Sequence, residues 1–170
     1  MPQTALEEAE LTESVVGALP EIEQDEKLEE IQEFWNADRE IDITELANES
    51  VRIPQIHDKY LKIYIDERIR LKGLQFELTK LVQLKRDYYA GKLTQEELEK
   101  LGWEQFLQRL LKNEISTYIE ADEDVIKTKK NIVLIEEKCY YLDSIIKMIS
   151  NRGFQIKSAI DWIKYKSGIV

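Results

Sequence analysis

The chain has 170 residues, 43 % hydrophobic and 34 % charged, with six glycines and three prolines. That is enough apolar material for one core, too few turn formers for an all-β fold, and no apolar run reaches the roughly 18 residues of a membrane span. One histidine and one cysteine exclude a His-pair metal site and an internal disulfide.

Charge is unevenly spread. Residues 1–50 carry 16 acidic and 2 basic side chains, and residues 51–170 carry 18 and 22, so an acidic segment joins a mildly basic body although the net charge is −10. Residues 1–23, with Pro2 and Pro20 and no sustained period, are expected to be a flexible acidic arm, and 24–170 to be the helical body. The arm could fold back on the basic body, dock a basic partner, or only solubilise. The lone cysteine and the absence of a basic-apolar leader in MPQTALEEAELTES predict a cytoplasmic protein.

Leu28, Ile31 and Trp35 predict a short amphipathic helix over 24–36, and IDITEL reads as an extended linker. A long helix is predicted to start at SVRIP, with Pro54 in its first turn where the missing N–H is not needed. Its seam runs His57, Tyr60, Tyr64, Glu67, Leu71, Leu74, Leu78, Leu81, Lys85, Tyr88 and stops at Ala90-Gly91. Thr94-Gln95-Glu96-Glu97 is a capping box for a short helix through Leu101, with Gly102 as its stop. EQFLQRLLKNEI predicts another helical stretch.

The last element has the strongest pattern. Val125, Thr128, Ile132, Ile135, Cys139, Leu142, Ile146, Ile149, Gly153, Ile156, Ile160 and Ile163 alternate steps of three and four, which predicts a helix over 123–166. Gly153 inside that seam costs roughly 1 kcal/mol against alanine, so a close neighbour, a kink or a ligand is expected there. Two long helices joined by short ones make an all-α chain, read as a helical hairpin. A two-helix hairpin buries too little surface to stand alone, so a homo-oligomer is expected, with the second half of the last seam as its contact.

No phosphate-binding glycine loop or dinucleotide turn is present, and one histidine makes a His-centred triad unsupported, so no enzyme, cofactor or metal is expected. His57 reads as a packed or surface residue and Cys139 as a small hydrophobe. Asp122, Glu123 and Asp124 suit a helix start, with cation binding as the alternative. KRDYYAGK, 85–92, is the segment with chemistry to offer. Single-stranded nucleic acid needs cations for phosphates and flat rings for unstacked bases. Lys85, Arg86 and Lys92 supply the first; Tyr88 and Tyr89 supply the second. The competing reading is a helix end whose cations complement the dipole while a tyrosine packs inside. Tyr88 continues the seam and Tyr89 leaves it, so Tyr89 is the better stacking candidate.

The run LVQLKRDYYAGK resembles the DNA-binding segment of the UvsY family, the recombination mediators of T-even-like phages. ISNRGFQIKSAIDWIKYKSG, 149–168, is similar to the family's C-terminal stretch, and EADEDVIK to the opening of its last helix. SVRIPQIHDKYLK and LTQEELEKLGWE look like the branch carried by phages of cyanobacteria. The resemblance spans roughly 30–168. It departs at one point: the family's two cations are separated by one residue, whereas Lys85 and Arg86 are adjacent and Gln83 stands at the first basic position. The resemblance implies a non-enzymatic mediator in the host cytoplasm. It would bind single-stranded DNA, contact the phage recombinase and single-strand-binding protein, and assemble into a ring, a heptamer in the best-known case. Lys85, Arg86, Tyr88, Tyr89 and Lys92 then become DNA-contact candidates. Arg152 and Lys157 would either extend the track or form salt bridges. Ile146, Ile149, Gly153, Phe154, Ile156, Ile160 and Ile163 would form the assembly contact. The rival reading is a coiled-coil scaffold without DNA affinity.

Overall fold

The computed structural model describes residues 26–168; the acidic arm expected over 1–23 lies outside them. The described residues form five helices and no strand: α1 (Glu26–Asp38), α2 (Leu46–Tyr89), α3 (Gln95–Leu101), α4 (Lys112–Ala121) and α5 (Glu123–Lys166). They fall into two compact units, one of Leu71–Leu134 and one joining residues 26–70 to residues 135–168.

α5 covers the predicted span. α3 is capped as read: Thr94 Oγ1 accepts from the Glu97 N–H at 3.3 Å, and the Thr94 N–H donates to the Glu97 carboxylate at 2.6 Å. Gly91 and Gly102, at φ 67° and 66°, take the left-handed positions after α2 and α3.

Two expectations are corrected. α2 starts at Leu46, so Pro54 lies inside the helix and not in its first turn. The added turns have partners: Leu46 is buried, Glu49 receives Arg152, and Arg52 reaches Asp38 at 2.6 Å. These contacts outweigh the one donor that proline removes. The stretch predicted as helical over 104–115 is irregular before Lys112. There the Glu104 carbonyl accepts the Tyr88 hydroxyl at 2.9 Å, and the Phe106 ring packs among Tyr88, Tyr89 and Tyr118, so side-chain contacts replace helical ones.

In the unit of residues 26–70 and 135–168, Ile31, Ile56, Tyr60, Leu142, Ile145 and Ile149 form the core, flanked by Trp35, Ile53, Ile63, Tyr64, Tyr141 and Ile146. Each buried aliphatic side chain there contributes about 1.5–3 kcal/mol. Asp38 gathers Arg52, Lys59 and the Tyr60 hydroxyl. Burial pushes its carboxyl up, but the hydrogen bonds from Lys59 and Tyr60 and the nearby cations hold it below 3.8. Its stabilisation is therefore present above pH 3.8 and fades as the carboxyl protonates below.

Within the same unit Lys138 Nζ lies 3.3 Å from Glu67 Oε2, with side chains 0 % and 3 % exposed. Desolvation offsets most of the attraction of such a pair, so it is expected to add little net stability. Glu67→Leu combined with Lys138→Met is expected to match or exceed the wild-type midpoint in urea unfolding, whereas Lys138→Met alone lowers it. A double variant as unstable as the single one would show that the pair itself stabilises the fold.

Cys139 is buried, and burial together with the Glu67 carboxylate pushes its thiol up, as suits a small hydrophobe.

Candidate nucleic-acid interface

The end of α2 lies in the Leu71–Leu134 unit, where Leu81, Ile119 and Val125 are the buried core and Leu78, Val82, Tyr89 and Ile115 pack around it. Lys85 occupies a seam position, and its side chain is only 7 % exposed. Its ammonium lies 2.6 Å from Asp124 Oδ2, 3.0 Å from Asp122 Oδ2 and 4.1 Å from the centroid of the Trp103 ring. A buried ammonium needs such partners, because an unpaired charge there would cost several kcal/mol.

Asp122 does three things at once. One oxygen receives Lys85, and the same oxygen accepts the Tyr89 hydroxyl at 2.8 Å. The other accepts the N–H groups of Asp124 and Val125 and caps α5. The acidic run is thus a cap and a clamp for Lys85. Burial, followed by the hydrogen bond to Asp122 and its charge, pushes the Tyr89 hydroxyl well up, so it stays a donor at neutral pH.

The tyrosines belong to an aromatic cluster. Tyr88 meets Tyr89, Trp103 and Phe106 at ring separations of 5.1, 5.0 and 5.8 Å, and Tyr89 meets Phe106 and Tyr118 at 5.1 and 5.6 Å. Such edge-on contacts add roughly 0.5–1.5 kcal/mol each beyond burial. Both rings remain half-buried.

The two other cations of the segment face water. Arg86 is exposed and reaches Gln83 at 3.4 Å; Lys92 is exposed and sits 3.3 Å from Asp87. The structure therefore separates KRDYYAGK into a buried Lys85, two half-buried tyrosines, and an outward pair, Arg86 and Lys92. In the other unit, Arg152 is buried and donates to the carbonyls of Asp38 and Glu40 and to the Glu49 carboxylate, while Lys157 is exposed. Of the two roles weighed for Arg152, it makes the salt bridge.

Sequence reasoning missed Trp103, Asp122 and Asp124 as the partners of Lys85. The signal was available: a lysine on an apolar seam requires a carboxylate, and DED opens the next long helix.

The assembly candidates also divide. Ile149 and Ile156 are buried in this chain, Ile146 and Ile160 are half-buried, and Gly153, Phe154 and Ile163 are exposed. A Cβ on Gly153 would come 4.0 Å from Ile53 Cδ1, an ordinary contact, so no close approach in this chain requires the glycine.

Comparison with known proteins bears on the same region. The model of the family described as "Recombination, repair and ssDNA binding protein UvsY" matches residues 34–169. The chain is 28 % identical over 144 residues to the recombination protein uvsY of Enterobacteria phage T4, covering 84 % of this chain and 98 % of that one. Two crystal structures of the bacteriophage T4 recombination mediator protein UvsY share its fold. Lattice type IV has a TM-score of 0.71 at 23 % identity over 81 % of this chain and 98 % of that one. Lattice type II has 0.70 at 24 % over 82 % and 96 %.

Proposed function

The chain belongs to the UvsY family of recombination, repair and single-stranded-DNA-binding proteins, and from that premise we propose that it is a non-enzymatic mediator that binds single-stranded DNA and helps load the phage recombinase in place of the single-strand-binding protein. The observation that carries this reading is the family match over residues 34–169. The recombinase and the single-strand-binding protein are its partners in the host cytoplasm. No described helix is long and apolar enough to cross a membrane.

The two long helices are read as an antiparallel hairpin. In one unit Glu49 meets Arg152 and Glu67 meets Lys138. In the other Lys85 meets Asp124. Hairpins assemble into a ring, a heptamer by the family resemblance, which repeats the exposed Arg86 and Lys92 on every subunit. Each subunit's phosphate grip is weak, and one strand touching several subunits gains through effective concentration. Strand held in this way is bent, which disfavours a protein that needs it extended.

The test is an anisotropy titration of a labelled oligothymidylate over a range of salt, with unlabelled single and double strands as competitors. Tight, salt-steep binding that single strands compete away supports the reading. Arg86→Ala is expected to weaken binding and flatten the salt slope by about 0.7 for each phosphate no longer neutralised, with no change in melting temperature. Lys85→Ala is expected to lower the melting temperature as well, since it leaves the buried Asp122 carboxylate without its cation. Unchanged affinity in both variants removes the segment from the site. An absence of binding in the wild type favours the scaffold reading, which the inward placement of Lys85 and Arg152 also fits.

A further inference from the structure

The outward cations of the 85–92 segment are two, and its two rings are half-buried in an aromatic cluster, so a fully open stacking surface has to lie elsewhere. Earlier along its length, α2 offers one. Phe76 is 69 % exposed, the most open of the described aromatic side chains in its unit. Lys72 and Lys80 lie four residues before and after it, and both are exposed. At 3.6 residues per turn these three side chains, with Thr79, Gln83 and Arg86, lie within about a third of the circumference of the helix. The face carries three cations and one ring and extends roughly 20 Å from Lys72 to Arg86. Among the described residues neither Lys72 nor Lys80 is in an ion pair; Lys72 donates to Gln75 at 3.1 Å. The acidic neighbours are set aside: Glu77 points off the face, and Asp87 is bound by Gln83 and Lys92.

A second observation stands beside the ring. Gly73, three residues before Phe76 and so its neighbour on the helix surface, meets nothing within 4 Å of where a Cβ would be. A mid-helix glycine lowers helix stability, and no packing within the described chain asks for it. What the glycine does provide is an open flank against an exposed ring, with a lysine on each side.

We propose that Phe76 is a base-stacking platform for single-stranded DNA, with Gly73 leaving room for the base and Lys72, Lys80 and Arg86 holding the phosphates on either side. The proposal rests on the single-strand-binding reading above and places a binding site on α2 upstream of the 85–92 segment. The occupant follows from charge and shape: a flat apolar face among cations suits an unstacked base on an anionic backbone, and stacking of this kind is tolerant of sequence.

Four variants test it by oligothymidylate anisotropy, thermal melting and light scattering. Phe76→Ala and Phe76→Leu are both expected to weaken binding about 5- to 150-fold with the salt slope unchanged, because a ring is lost and no charge is. Lys72→Ala with Lys80→Ala should flatten the slope by about 1.4. Gly73→Leu should raise the melting temperature, since leucine favours the helix, and still weaken binding, since it fills the flank of the ring. Photocross-linking with an oligonucleotide carrying 5-iododeoxyuridine should join the strand to the peptide containing Phe76.

Phe76→Leu binding as wild type, or Gly73→Leu binding as wild type, overturns the platform. So does a change in assembly mass with Phe76→Leu, which would make this face a contact between protein chains. Failure of the wild type itself to bind single strands removes the broader reading, and that result is distinct from any of these.

Discussion

Arg152→Met is expected to lower the unfolding free energy by about 3 kcal/mol, the cost of leaving the buried Glu49 carboxylate with only the longer 3.7 Å pair to Arg52 and two carbonyls without their donor. The guanidinium is 3 % exposed and donates at 2.7 Å to the Asp38 carbonyl, at 2.6 Å to Glu49 Oε2, and also to the Glu40 carbonyl. It thereby ties α5 to the end of α1, to the linker after it and to the first turns of α2. Removing it takes a donor from three acceptors. Methionine fills much of the volume, so the loss reports charge and hydrogen bonds more than a cavity. Arg152→Lys should recover only part, because an ammonium cannot serve three acceptors with the planar fork of a guanidinium. Glu49→Leu added to Arg152→Met should recover more. Urea unfolding followed by circular dichroism measures each step. A loss below about 1 kcal/mol for the methionine variant would mean that water or neighbouring cations take over the acceptors, against the burial seen. The exposed Lys157 is the useful contrast: Lys157→Ala should leave stability unchanged, so any effect on DNA affinity belongs to the surface.

Most of the helices were legible because their signals are local. The capping box of α3 and the unbroken three-four alternation of α5 need no tertiary information. What failed needed it. In α5 the apolar pattern allows two registers after Leu142: Ile146, Ile149, Gly153, Ile156, or Ile145, Ile149, Arg152, Ile156. A reading that prefers small residues inside takes the first. The fold buries Ile145 and Arg152 and leaves Gly153 at the surface, because Glu49 and two carbonyls from distant positions satisfy the arginine. Lys85 follows the same logic. Its place on the seam was readable, and its partners 37 and 39 residues onward were not, so a cation engaged inside looked available to a phosphate. The start of α2 was misplaced for a related reason: proline sets a local preference, and ion pairs to Asp38 and Arg152 override it. Phe76 and Gly73 belong to no seam, so the pattern gives no signal at either, and exposure is a property of the fold.

If the chain assembles as proposed above, disrupting that assembly is expected to have the largest effect on DNA affinity. Two features of α5 motivate it. Beyond the buried Ile156, the seam continues through the half-buried Ile160 to Ile163, which is 45 % exposed, so it outruns its partners in the chain. On another face Phe154, Trp162 and Tyr165 are exposed, the last two with rings stacked at 5.9 Å. Exposed apolar side chains grouped at the end of one helix mark an interaction surface, and a contact between subunits is the use proposed for it. Ile156→Glu cannot test this, because Ile156 is buried in the subunit and its loss would unfold the chain first. Phe154→Glu with Ile163→Glu is the suitable variant. Both positions are open to water here, so helix content and melting of the isolated subunit should persist while light scattering reports a monomer. Affinity for a long oligothymidylate should then fall about 10²- to 10⁴-fold, the gain that multivalent contact supplies. Affinity for an oligonucleotide short enough to touch one subunit should hardly change. Gly153→Ala adds a finer probe: within the chain it should stabilise α5 by about 1 kcal/mol, so a loss of assembly would place a neighbouring subunit against the glycine. A monomer that binds the long strand as tightly as the assembled protein would show that each subunit's own grip is strong, and pooling among subunits would have no part in it.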